Sequence, residues 1–91
     1  MKLNHKELIK LGFSEELLEN NATKYSLKFD EECGFESYIV LVDMSGNKTG
    51  MYKLYLKDNT DGFFLLRVKI ETVEQLKWLY LAISGNSLKH E

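Results

Sequence analysis

A chain of 91 residues with 44% hydrophobic and 29% charged residues has the composition of one folded globular domain, which excludes a disordered or low-complexity protein. Its formal charge of −2 excludes a strong overall attraction to nucleic acids or anionic membranes. The one cysteine, Cys33, excludes an internal disulfide and a zinc site built from cysteines. The opening segment is polar and no apolar run reaches the ~20 residues of a membrane-spanning helix, so the sequence predicts a cytoplasmic protein.

The first predicted element is a short helix that begins after Asn4. Asn4 can cap the first turn, and Glu7 follows at the spacing of a capping box. Gly12 is a typical residue for the helix end. A further turn or a short second helix is expected over residues 14–18.

Four strands are expected in the middle of the chain, because the hydrophobic period changes there to two. The predicted strands run over residues 24–29, 35–43, 51–57 and 63–70. An acidic turn at 30–34 and loops at 45–50 and 58–62 separate them. The short connections between the last three strands indicate an antiparallel meander.

The final predicted element is a helix that begins after Thr72. Thr72 and Gln75 form a Thr-x-x-Gln capping box, and Gly85 ends the helix. The predicted fold is therefore α+β, a two-layer sandwich in the order α-β-β-β-β-α. Both terminal helices are expected on one face of a four-stranded antiparallel sheet, since they are the only cover for it.

The C-terminal helix carries more apolar residues than one buried stripe requires. The stripe that should face the sheet consists of Val73, Leu76, Leu79, Tyr80 and Ile83.

Trp78 and Leu81 lie on the opposite side, flanked by Glu74 and Lys77. In one interpretation, the N-terminal helix and its neighbour (Leu8, Leu11 and Phe13) cover this pair. In the other, these four residues form a protein interface, because tryptophan among charged residues is typical of a binding hot spot.

A second candidate surface is a basic face of the sheet. Strict alternation places the following residues away from the core: Lys24, Lys28, Lys53, Tyr55, Lys57, Arg67 and Lys69. Lysines with interleaved aromatics can bind single-stranded nucleic acid. They can equally keep an exposed sheet face soluble and guard its edges, or bind an acidic protein.

No residues are predicted to form a catalytic, metal or cofactor site, and no small-molecule substrate is inferred. His5 and His90 have no sequence-local partner, and the two acids before Cys33 oppose formation of a thiolate. The protein is therefore expected not to be an enzyme.

Both ends of the chain carry a recognisable pattern. One end is LIKLGF at residues 8–13, and the other is Thr72-x-x-Gln75-Leu76-x-x-Leu79-Tyr80-x-Ala82-Ile83-x-Gly85-x-x-Leu88. In these segments the chain resembles small uncharacterised proteins encoded in phage, prophage and mobile-element regions of bacterial genomes. The resemblance implies no activity, ligand or catalytic residue. It implies a setting in which short proteins act by binding a host or competing protein.

Two functions of different classes follow from the sequence. The favoured one is a small non-enzymatic protein-interaction module that associates with itself or binds another protein. The alternative is a nucleic-acid-binding protein that uses the basic sheet face.

Overall fold

The computed structural model describes residues 1–44, 52–58 and 62–88. The predicted loop at 45–50, the start of the predicted third strand at Met51, most of the predicted loop at 58–62, and His90 lie outside these ranges. The elements in chain order are α1 (His5–Lys10), β1 (Ser14–Leu17), β2 (Thr23–Glu32), β3 (Phe35–Asp43), β4 (Tyr52–Asp58), β5 (Phe63–Leu66) and α2 (Val73–Ser84).

The strands form one sheet in the order β1-β2-β3-β4-β5, and each neighbouring pair is antiparallel. The predicted α+β class and the antiparallel meander are therefore confirmed, whereas the predicted number of four strands is wrong. Residues 14–17 form the extra strand, where a turn or short helix was expected. Pairing with β2 decides this, because it sets Glu16 opposite Lys24 and Glu15 opposite Tyr25.

The strand bounds also differ from the expectation at two places. β2 extends through a bulge between Lys28 and Asp30 as far as Glu32, so most of the predicted acidic turn is strand. The chain reverses only at Cys33 and Gly34, which both have positive φ. β5 ends at Leu66, so the second half of the predicted fourth strand is not part of the sheet.

Both helices have the predicted caps. The Asn4 side chain accepts a hydrogen bond from the Glu7 amide at 2.9 Å, and α1 is followed by Gly12 at φ +98°. The Thr72 side chain accepts from the Gln75 amide at 3.1 Å, and the Gln75 side chain accepts in return from the Thr72 amide. Gly85 ends α2 in the left-handed conformation.

The chain segment before α1 runs beside the start of α2. The Leu3 amide donates to the Glu71 carbonyl at 2.9 Å, and the Val73 amide donates to the Met1 carbonyl at 2.8 Å. These two bonds hold the segment before α1 against the start of α2.

The main core lies between the two helices and one face of the sheet. Its buried members are Leu3, Leu8, Leu11, Phe13, Tyr25, Ile39, Leu41, Leu54, Val73 and Leu76. Leu79, Tyr80 and Ile83 pack against this cluster, which confirms the predicted inward stripe of α2. We call the other side of the sheet the open face.

Candidate protein interface

The outward side of α2 is uncovered. The Trp78 side chain is 72% exposed and Leu81 is 40% exposed. The interpretation in which Leu8, Leu11 and Phe13 cover this pair is wrong, because all three are buried in the main core. They share that cluster with sheet residues such as Tyr25 and Ile39.

Trp78 and Leu81 belong to a groove of about 270 Å³, which we call the Trp78 groove. Its lining residues are Glu74, Lys77, Trp78, Leu81, Ser87 and Leu88. The first four are spaced i, i+3, i+4 and i+7, so they share one helix face. All four residues of the predicted protein interface therefore line this groove.

The sequence prediction missed two lining residues, Ser87 and Leu88. Leu88 follows the left-handed Gly85, which redirects the chain at the end of α2. Leu88 also packs against the main core, so one wall of the groove is anchored to the interior. An apolar residue shortly after a helix-ending glycine often returns to the last helical turns, and that signal could have identified it.

The two charged residues of the groove have different partners. The Glu74 carboxylate accepts a hydrogen bond from the amino group of Met1 at 2.7 Å. This bond, more than the nearby Lys77 charge, lowers the pKa of Glu74. Lys77 makes no ion pair with any described residue. The positive charge of Lys77 is therefore available to an acidic group of a ligand.

The predicted basic face is only partly assembled. The register places Lys24, Lys28, Lys53, Tyr55 and Lys57 on the open face, because residues directly opposite in an antiparallel pair share a face. Arg67 and Lys69 are exposed but lie beyond the end of β5, so they do not extend that face as predicted.

Acidic residues sit among the lysines of the open face. Lys24 forms an ion pair with Glu16 of β1 at 3.1 Å. Lys28 pairs with Glu31 and lies 3.8 Å from Glu36, and the hydrogen bond to Glu31 is the main cause of its raised pKa. The extra strand and the extended β2 supply Glu16 and Glu31, which reduces the basic field that the sequence suggested.

The open face also contains a small apolar cluster. Ala22, Val40 and Val42 are buried there, and Leu18 and Tyr55 pack against them. The connection from β1 to β2 therefore folds over one end of the open face. The open face therefore exposes fewer groups that could bind a nucleic acid than strict alternation predicts.

A polar cluster joins α1 to the β1 side of the sheet, and the sequence prediction missed it. His5 Nδ1 lies 2.9 Å from the Tyr25 hydroxyl and 3.0 Å from a Glu15 carboxylate oxygen. The Tyr25 ring also meets the Tyr52 ring edge-on, at 6.0 Å between centroids. His5 has no sequence-local partner, as predicted, but the fold brings it to Tyr25 and Glu15, which lie far from it in the chain.

The two tyrosines of this cluster are held in the protonated form. Burial raises the pKa of Tyr25 to about 12, with a smaller contribution from Glu15 and Asp43. Burial also raises the pKa of Tyr52 to about 12. A phenol that resists deprotonation is a poor nucleophile at neutral pH, so we interpret the cluster as a structural hydrogen-bonding centre.

The described part of the chain contains neither a cluster of metal ligands nor a membrane-spanning helix. In residues 1–44, 52–58 and 62–88, no group of three histidine, cysteine, aspartate or glutamate side chains could hold a metal ion. None of the helices in these ranges is long and apolar enough to cross a bilayer.

Comparison with models of protein families, with curated proteins and with solved structures finds no match.

Proposed function

We propose that this protein is a small non-enzymatic module that binds another protein through the Trp78 groove, acting in the cytoplasm as the sequence predicts. The proposed ligand is an amphipathic helix that carries an apolar stripe and an acidic residue beside it. The observation that carries the proposal is the 72% exposure of Trp78 beside Leu81 and the core-anchored Leu88.

The size of the uncovered apolar surface supports binding. Tryptophan has a surface of roughly 150–250 Å², and burying a large apolar side chain contributes about 1.5–3 kcal/mol. Tryptophan is also enriched among the residues whose truncation costs about 2 kcal/mol or more in complexes. Trp78→Ala should then weaken binding by about 30-fold.

The geometry and charge of the groove support a helical, acidic ligand. Four lining residues repeat at helical spacing, so their ridge can pack against the ridges of a second helix. Lys77 has no ion-pair partner among the described residues, whereas Glu74 is engaged by the Met1 amino group. An acid on the ligand would complement Lys77 and would be repelled less by the engaged Glu74.

The test compares two variants that remove equally exposed apolar side chains. Trp78 and Leu17 are both 72% exposed, but Leu17 lies on β1, away from the groove. Tagged wild type, Trp78→Ala and Leu17→Ala would be used to capture proteins from a host lysate treated with nuclease. A specific partner should be retained by wild type and Leu17→Ala and lost from Trp78→Ala.

Reconstitution then tests the chemistry of the captured protein. Its binding segment, made as a peptide, should bind purified wild type about 30-fold more tightly than Trp78→Ala. Lys77→Glu should weaken binding, and exchanging the peptide's acid for lysine should restore it. A partner that binds all variants equally, or whose binding segment is not helical, would contradict the proposal.

The resemblance to mobile-element proteins adds a biological setting to the proposal. In that setting the ligand helix would belong to a host protein or to a protein of a competing element. The origin of the chain in a phage or mobile element stays a prediction, since no comparison bears on it.

Binding of nucleic acid through the open face is the second proposal. Lys53 and Lys57 flank Tyr55 there, and Lys57 lies 5.3 Å from the centre of the Phe63 ring. A labelled single strand should then bind with an affinity that falls steeply as salt is added, and Lys53→Ala should reduce that salt dependence. Affinity that is insensitive to salt would exclude this function.

A further inference from the structure

β5 forms one edge of the sheet, and its side chains are large, apolar and exposed. Phe63, Phe64 and Leu65 are 52%, 66% and 48% exposed, and no residue of β5 is charged. An edge strand presents unpaired backbone donors and acceptors, to which another strand can add. β5 thus combines an open backbone edge with apolar side chains.

We infer that two copies of this chain associate through β5, with the two β5 strands antiparallel and the two sheets continuous. This inference concerns a surface other than the Trp78 groove and does not depend on the function proposed for that groove. The occupant of the edge is a second copy, for reasons of register, charge and closure.

The hydrogen-bond pattern of the β4–β5 hairpin identifies which backbone groups point outward. The Asp58 amide donates to the Gly62 carbonyl, so these two residues form a hydrogen-bonded pair. Pairs alternate along an antiparallel ladder, and β4 and β5 pair without a register shift. Phe64 therefore bonds to β4, while the amides and carbonyls of Phe63 and Leu65 face the open edge.

This pattern fixes the allowed registers of a symmetric pair. A two-fold axis beside Phe64 sets Phe63 of each copy opposite Leu65 of the other, so that outward groups meet outward groups. Phe64 meets Phe64 of the second copy as the central, non-hydrogen-bonded pair. A shift by one residue would set outward groups against inward ones, and a shift by two would leave one outward residue of each β5 without a counterpart in the other β5. In the register centred on Phe64, the helices of both copies lie on the same side.

The charges at the two ends of β5 favour the antiparallel direction. Asp58 is the last residue of β4 and lies opposite Gly62, the residue before β5, where its carboxylate is 3.3 Å from the position of a Cβ on Gly62. Arg67 and Lys69 follow the end of the strand and are exposed. Antiparallel pairing brings the basic end of one copy to the acidic end of the other, whereas parallel pairing would bring like charges together.

The opposite edge of the sheet explains why the assembly should stop at two copies. β1 carries Glu15 and Glu16, which would lie against the apolar side chains of β5 if the two edges paired head to tail. Two-fold β5 pairing uses both apolar edges and leaves two acidic ones. The dimer is therefore closed.

The apolar area at this edge predicts a weak dimer. A complete phenylalanine has roughly 150–250 Å² of surface, and each copy contributes only Phe63, Phe64 and the smaller Leu65, all partly exposed. This is less than the ~800 Å² per partner of a standard interface. We expect association in the micromolar range or weaker.

The first experiment is sedimentation of the full chain from micromolar to millimolar concentration, for wild type, Leu65→Pro and Trp78→Ala. Proline at residue 65 removes an amide that faces the open edge and leaves the β4–β5 bonds in place. Leu65→Pro should weaken the dimer about tenfold or more, and Trp78→Ala should not change it. Circular dichroism would establish that each variant is folded.

The second experiment tests the register by cross-linking in a Cys33→Ser background. Phe64→Cys should form a disulfide between copies under mild oxidation, because a central non-hydrogen-bonded pair has Cα atoms about 4.5 Å apart. Leu65→Cys and Leu17→Cys are the matched controls and should remain largely monomeric. This experiment remains informative if Leu65→Pro fails to fold.

Three results would overturn the inference. They are a wild type that is monomeric at millimolar concentration, a dimer that survives in folded Leu65→Pro, and a dimer that Trp78→Ala dissociates. The last result would move self-association to the Trp78 groove. It would leave the inference about β5 wrong without testing whether that groove binds another protein.

Discussion

The two edge strands of the sheet have the same length of four residues and opposite surface chemistry. β1 carries Glu15, whose carboxylate lies 3.0 Å from His5 Nδ1, and Glu16, which forms an ion pair with Lys24 at 3.1 Å. β5 has the sequence FFLL and no charge. Charged residues on an edge strand oppose the addition of another strand, so the sheet is guarded on one side and open on the other.

The two edge strands also differ in how they are attached to the rest of the molecule. β1 is joined by polar contacts, since His5 connects Glu15 to the buried Tyr25. β5 is joined mainly through its pairing with β4, and only Leu66 of its residues packs against the main core. A strand that contributes little to the core can contribute its side chains to a partner instead.

The largest expected effect is a difference in stability between a substitution in β4 and one in β5. Leu54 on β4 is 1% exposed, so Leu54→Ala should lower the free energy of unfolding by about 2–5 kcal/mol. Leu65 on β5 is 48% exposed, and Leu65→Ala should lower it by less than about 1 kcal/mol. Urea unfolding of dilute, monomeric protein measures both.

Equal losses of unfolding free energy in Leu54→Ala and Leu65→Ala would contradict this difference between β4 and β5. They would mean that β5 belongs to the cooperative core, in which case its exposed side chains serve stability. Leu41→Ala is a suitable positive control, because Leu41 is fully buried and directly opposite Leu54.

Local signals explain the parts of the fold that the sequence predicted. The capping box at Thr72, the stop at Gly85 and the inward stripe of α2 depend on neighbouring residues and are all present. β1 could not be recognised in this way, since Ser14-Glu15-Glu16-Leu17 lacks alternation and contains good helix formers. It is a strand because β2 pairs with it, and that contact is not local.

In the candidate interface, too, local signals predicted some features and non-local contacts decided the others. Helical periodicity was sufficient to place Trp78 and Leu81 on the outward side of α2. Whether α1 covers them depends on non-local packing, and Leu8 of α1 is buried with the sheet residues of the main core instead. Alternation places Phe63 and Leu65 outward and Phe64 inward, but the helices leave Phe64 66% exposed, so its exposure was not predicted.

A smaller effect tests the polar attachment of β1. Tyr25→Phe removes the hydroxyl that lies 2.9 Å from His5, so it should cost about 0.5–1.5 kcal/mol of stability at neutral pH. Tyr52→Phe should be neutral or stabilising, because the buried Tyr52 hydroxyl has no hydrogen-bond partner among the described residues. Chemical denaturation of the two variants side by side measures the difference. A larger loss in Tyr52→Phe would contradict the assignment of the bond to His5.

The same pair of tyrosines predicts how stability changes at alkaline pH. Burial raises the pKa of each from the ordinary 10.0 to about 12, so the unfolded chain releases these protons at lower pH than the folded one. Stability should therefore be unaffected by them below pH 10 and should fall as pH rises from about 10 to about 12. Each substitution to phenylalanine should remove part of that fall, and an unchanged alkaline slope in both would exclude the tyrosines as its cause.

The smallest expected effect concerns the charges that guard β1. Glu16 lies directly opposite Lys24, so Glu16→Lys replaces an ion pair with two like charges. The cost should be about 0.2–1 kcal/mol, and added salt should reduce it because both groups are near the surface. Glu16→Gln is the control that removes the attraction without adding repulsion, and it should cost less. A cost that is independent of salt would point to altered packing of β1 instead. Because either variant keeps a polar side chain on that edge, neither should change the state of association, in contrast to substitutions in β5.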